Sequence, residues 1–121
     1  MKIDIITDRT VIDVMAFANN ARSISNIKAE KFEEYASLFL WGYDHIFYVS
    51  PKGVEIENNG IRETNSKYRD QIDKTIRQLL KKYNGKGNIR NLYKLSGSTE
   101  DRVKKVLDIT TYSKASHNIY K

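Results

Sequence analysis

Lys74, Arg77 and Lys81 lie three and then four positions apart, with Lys82 beside the last, so on a helix they make a cationic stripe. Such a stripe suits the phosphates of a nucleic acid, where each contact releases counterions, and it is equally the ordinary wet face of an amphipathic helix. Other chemistry is sparse. His45 and His117 are far apart with no acid spaced to complete a metal site, and no Ser-His-Asp arrangement is readable. The lack of cysteine removes thiolate nucleophiles, thiolate metal sites and disulfides, and is compatible with a reducing cytoplasm. The Gly-Lys step in Gly85-Lys86-Gly87 has no Ser or Thr after the lysine and reads as a helix stop rather than a phosphate loop. Asp8 and Arg9 follow the β-branched run Ile3, Ile5, Ile6, which predicts a buried strand delivering an acid at its C-terminal end.

The elements that would position these residues follow from periodicity. Thr10 caps a helix that runs to about Arg22, with Val11, Val14, Met15 and Ala18 on one face. A second helix spans roughly Lys28 to Trp41, with Phe32, Tyr35, Ala36, Phe39 and Leu40 inward and Lys31, Glu33 and Glu34 in water; Gly42 stops it. His45 to Val49 reads as a second strand, closed by Ser50-Pro51-Lys52-Gly53. Val54 to Lys67 has no period and reads as a long surface loop. A third helix from about Lys67 to Tyr83 carries Tyr68, Ile72, Ile76, Leu79, Leu80 and Tyr83 inward and the cationic stripe outward. A third strand over Arg90 to Leu95 leads through Ser96-Gly97-Ser98 into a last helix, capped by Ser98, with Val103, Val106 and Leu107 inward. One α/β domain over residues 1–110 is expected, followed by a polar, frayed tail over 111–121. About three parallel strands with helices on both faces form a thin sheet, whose open surface predicts a homodimer or an obligate protein partner.

The charge is uneven. The chain of 121 residues is 40% apolar and 30% charged, with net charge +6 and a pI near 9.5, which suits one globular domain. Residues 1–60 hold six Lys and Arg against nine Asp and Glu, net −3, while residues 61–121 hold fifteen against six, net +9. A polyanion would therefore meet the second half. Apolar stretches such as Leu38 to Trp41 are far below the ~18 residues of a membrane span, and Met1-Lys2-Ile3-Asp4 does not read as a signal peptide.

Several segments, taken in order, resemble a known family. Ile5-Ile6-Thr7-Asp8-Arg9-Thr10, Asp44-His45-Ile46-Phe47-Tyr48-Val49, Asn59-Gly60-Ile61-Arg62, Tyr68-Arg69 and Leu95-Ser96-Gly97-Ser98-Thr99-Glu100-Asp101-Arg102 are similar to the C-terminal portion of phage-type P-loop ATPases and kinases. That group is related to the ribosylnicotinamide kinase domain of the bacterial nicotinamide-nucleotide regulator. The resemblance spans roughly residues 3–109 and implies a partial, Rossmann-like three-layer fold. It implies that Asp8 handles Mg²⁺ or the acceptor proton, that Arg9 grips phosphate, and that Arg62 and Arg69 belong to a lid. It also implies that Ser96, Gly97, Ser98, Thr99 and Arg102 hold the nucleotide base. Plainer readings stand beside each: an acid at a helix start, a solvated basic loop, and a capped helix start. The family's G-x-x-x-x-G-K-[ST] loop, which surrounds the phosphates, is not in this sequence.

Two functions follow as expectations. The first is a non-catalytic, phage-type binding protein that engages a macromolecule or a nucleotide, in a host cytoplasm if viral. The second is an enzyme subunit that completes a nucleoside or nucleotide kinase with a separate P-loop chain, using ATP and Mg²⁺ only in that complex.

Overall fold

Thr10 opens the first helix by a reciprocal cap: its hydroxyl accepts the Ile12 N–H at 3.1 Å, and Asp13 Oδ2 accepts the Thr10 N–H at 2.9 Å. A computed structural model of the chain describes residues 5–50 and 62–119, with the side chains of 5–50 and 66–111. In order the elements are α1 (Val11–Asn20), α2 (Asn26–Ser37), a 3₁₀ turn (Leu40–Gly42), β1 (Ile46–Val49), α3 (Arg62–Gly85), β2 (Leu92–Leu95) and α4 (Thr99–Ile119).

The core is built helix on helix. α1 packs against both α2 and α3, and the buried cluster takes Ile12, Met15 and Ala16 from α1, Ala36 from α2, Leu40 from the turn, and Ile72, Leu79, Leu80 and Tyr83 from α3. Side-chain bonds fix the angles between these helices. Asn20 Nδ2 reaches Thr75 Oγ1 at 3.0 Å, tying the end of α1 to α3, and the Val11 N–H donates to the Tyr43 hydroxyl at 3.3 Å.

β1 and β2 pair in parallel, in the register Ile46↔Leu92, Phe47↔Tyr93, Tyr48↔Lys94 and Val49↔Leu95. α3 is the crossover between them, as parallel pairing requires. Ile46 and Leu92 turn to the helical core, while Phe47 and Tyr93 stack on the other face at 5.3 Å between centroids.

The expected three-layer fold of about three parallel strands is not what forms. The molecule is mostly helical, and the described residues contain two strands of four residues each. Ile5 and Ile6 are exposed, Ile6 at 91%, on an irregular segment, so no strand passes through them. The physical reason is that α1, α2 and α3 find their apolar partners in one another, which leaves a pair of short strands at the margin rather than a sheet with two covered faces.

Other boundaries move as well. α3 begins at Arg62, so 62–67 is helix and not loop, while 51–61, with the Pro51 turn and the rest of the expected loop, lies outside the described residues. The backbone over 111–119 continues α4. Val103 and Leu107, expected inward, are exposed, and only Val106 of the three is half-buried. On α1 the buried side is Ile12, Met15 and Ala16, with Val14 exposed.

Candidate functional site

The residues singled out for kinase chemistry come from separate elements. Asp8 and Arg9 are exposed ahead of α1, and the Arg9 guanidinium lies over the Phe17 ring at 5.8 Å. Phe17 in turn meets Tyr68 at 6.4 Å, and Arg69, the next residue of α3, is exposed. Arg62 is the first residue of α3, and its side chain lies outside the description.

The Ser96–Arg102 segment is a helix cap. The Ser98 hydroxyl accepts the Asp101 N–H at 3.1 Å while Asp101 Oδ2 accepts the Ser98 N–H at 3.2 Å, and Arg102 donates to Thr99 Oγ1 at 3.1 Å. Gly97 has φ +91°, and a Cβ there would meet Asp101 Oδ2 at 2.8 Å, so the glycine serves the cap. No hydrogen bond or ion pair among the described residues joins this segment to Asp8, Arg9 or Arg69. Nor does any group of three His, Asp or Glu side chains there come together as a metal cluster.

Half of the cationic stripe is already engaged. Arg77 Nε pairs with Asp73 Oδ2 at 3.0 Å, and Lys82 Nζ reaches Glu33 Oε2 at 2.6 Å. Lys74 and Lys81 stand exposed.

Glu33 is the hub of a polar network that links three helices. Its Oε1 accepts from Asn19 Nδ2 on α1 at 3.1 Å, and its Oε2 accepts from Lys82 Nζ and from the Tyr83 hydroxyl on α3, each at 2.6 Å. Burial pushes the Glu33 carboxyl up, but the bonds from Lys82, Tyr83 and Asn19 outweigh it and hold the group below its ordinary value. Burial and the neighbouring carboxylate push the Tyr83 phenol up to about 12. Tyr48 is raised by burial and by its 2.6 Å bond to Asp73, and the bond to Glu33 raises Lys82. Each shifted group thus has an internal partner across the helices or strands.

The unusual surface is on α2. This helix buries Ala29, Ala36 and Ser37 and exposes its large side chains: Tyr35 at 63%, with Ile27, Phe32 and Leu38, and just beyond its end Phe39 and Trp41. Tyr35 and Phe39 meet edge to face at 5.4 Å. The Arg90 guanidinium covers one side of the Trp41 ring at 4.9 Å and pairs with Asp44 at 2.8 Å. The expected inward face of Phe32, Tyr35, Ala36, Phe39 and Leu40 is therefore split, with Ala36 and Leu40 inside and the three aromatics outside. Lys28 and Lys31 share the outward side, while Glu33, expected in water, is half-buried in its network. The signal available in the sequence was the pair of alanines seven residues apart, a flat side suited to close helix approach.

Among the described residues no helix is long and apolar enough to cross a membrane. Compared with protein-family models, curated proteins and solved structures, the chain matches none.

Proposed function

We propose that the chain is a non-catalytic binding protein that docks a macromolecular partner on the outward face of α2. One observation carries the reading: a helix that turns its alanines to the core and its Tyr, Leu and Phe side chains to water spends apolar area where folding gains nothing from it. Contact surfaces are rich in aromatic anchors of this kind, and a Trp faced by an arginine is a common centre of binding energy. A cytoplasmic setting, the host's if the chain is viral, is part of the proposal.

Trp41 is the single tryptophan and reports on this face directly. At low micromolar concentration the folded chain is expected to bind an apolar dye such as anilinonaphthalene sulfonate, with Trp41 emission red and open to acrylamide quenching. Leu38→Ser with Tyr35→Ser should abolish dye binding while the circular dichroism and the urea midpoint stay within about 0.5 kcal/mol of the parent, as for other exposed sites. A parent chain that binds no dye, or a double variant that unfolds, would show that the face is covered from within.

A further inference from the structure

The outward side of α2 has an internal symmetry. Ile27, Lys31, Glu34 and, at the C-cap, Leu38 are spaced 4, 3 and 4 residues apart, which is the a/d spacing of a coiled-coil seam, and all four are exposed; Ile24, ahead of the Ser25 N-cap, and Trp41, in the 3₁₀ turn, flank the helix and are exposed too. Ala29 and Ala36, on the opposite side of the heptad, are the residues turned to the core. A two-fold axis between Phe32 and Glu33 exchanges the halves of the seam: Ile27 with Leu38, and Lys31 with Glu34.

Resting on the reading that this face docks a macromolecule, we propose that its occupant is a second copy of this chain, with α2 lying antiparallel against α2. An isologous contact requires a patch that complements itself under a two-fold rotation. This one does so in both hydropathy and charge. Each Lys31 meets Glu34 of the second copy, and neither side chain has an ionic partner within its own chain among the described residues. Ile27 and Leu38 form the layers on either side, and Trp41, just beyond them with Arg90 over one side of its ring, reports on the contact. The charges also select the direction. A parallel pair would set Lys31 against Lys31 and Glu34 against Glu34, which like-charge repulsion disfavours. Lys28 and Tyr35, on the flank of the seam, also come opposite each other in the antiparallel pair, where the ammonium has an aromatic ring to contact. The helix has 12 residues, so the contact is small and the dimer is a concentration-dependent one.

Sedimentation of the full chain from about 1 μM to about 1 mM, with Trp41 emission recorded in parallel, tests the proposal. The mass should double across the series and the emission should move to the blue in step. Lys31→Glu and Glu34→Lys should each weaken dimerisation by about tenfold or more, and the two together should restore it, because the reversed pair is again complementary. Both sites are exposed, so circular dichroism should be unchanged in all three variants. A chain that stays monomeric throughout overturns the self-pairing, as does a dimer that neither reversal weakens or a double variant that fails to recover. If that monomer binds dye at low concentration and keeps Trp41 quenchable, the docking face stands and only the identity of its occupant was wrong. A monomer that binds no dye and unfolds on Leu38→Ser overturns both readings.

Discussion

Replacing Glu33 by alanine tests whether the polar network between the helices is structural. The carboxylate accepts from Asn19, Lys82 and Tyr83. Tyr83 is 3% exposed, so its hydroxyl has little access to water once the acceptor is gone, and an orphaned buried donor costs roughly 1–3 kcal/mol. The Lys82 side chain is half in water and loses at most about 1 kcal/mol. The exposed Asn19 amide adds no more than a few tenths of a kcal/mol. Glu33→Ala should therefore cost about 2–3 kcal/mol. Tyr83→Phe, which leaves Glu33 bonded to Lys82 and Asn19, should cost about 1 kcal/mol. In the double variant no hydroxyl is orphaned, so its cost should fall short of the sum by about 1 kcal/mol. Urea denaturation followed by circular dichroism gives all three values if the slope stays constant. Strict additivity, or a Glu33→Ala cost below about 0.5 kcal/mol, would refute the account.

The same network sets a pH range. Tyr83, with its folded pKa raised from 10.0 to about 12, contributes stability that is complete below pH 10 and is lost as the pH climbs towards 12; Tyr48 and Lys82, also raised, act in the same direction. Glu33 is lowered from 4.5, so its share is complete above that pH and disappears as the pH falls below it. Urea midpoints should decline at both ends, less steeply above pH 10 in Tyr83→Phe, and a flat alkaline limb would count against the network. Gly97→Ala, at φ +91° and 2.8 Å from Asp101 Oδ2, should cost about 1 kcal/mol or more and lower amide protection in the first turn of α4; unchanged protection there would mean that the cap does not hold the helix. Ile6→Ser should shift stability by less than about 0.5 kcal/mol, whereas a residue in a buried strand would cost several times that. Ala36→Leu should destabilise by roughly 1–3 kcal/mol through overpacking, while Leu38→Ala at micromolar concentration should be near neutral; the reverse order would put the wrong side of α2 in the core.

Local signals in this sequence were readable where one short-range device decides the outcome. The caps at Thr10 and Ser98, the two strands around Ile46–Val49 and Leu92–Leu95, and the inward side of α3 at Ile72, Leu79, Leu80 and Tyr83 all have such a device in a hydroxyl, a short run of apolar and aromatic residues or a 3.6-residue period. Ile5 and Ile6 had a similar local strand signal, but a strand also needs a neighbour to pair with, and that is not encoded within the run. The start of α3 was lost for a related reason. Asn65 and Ser66 are poor helix formers, yet they sit inside a 24-residue helix whose later turns are anchored by packing, and propagation from those turns outweighs local propensity. Glu33 looked like a surface acid because its three partners come from two other helices, 14 to 50 positions away in the chain.

The inversion of α2 has a steric cause. Its neighbour α1 presents Met15 and Ala16, both fully buried, and packs on α3 as well as on α2. Helices that approach closely do so over small side chains, and the interior volume that Phe32 or Tyr35 would have filled is supplied by Leu40 from the turn that follows. Hydropathy alone would put the aromatics inside, because it counts the free energy of leaving water and not the room available. Once the alanines occupy the core side, the large residues at 35, 38 and 39 have nowhere within the chain to go. The same close fit that completes the fold therefore leaves an apolar side unpartnered, and the 3-4 spacing on that side is the spacing one helix needs to seat another. The core arrangement and the docking face of α2 are two consequences of one placement of small residues.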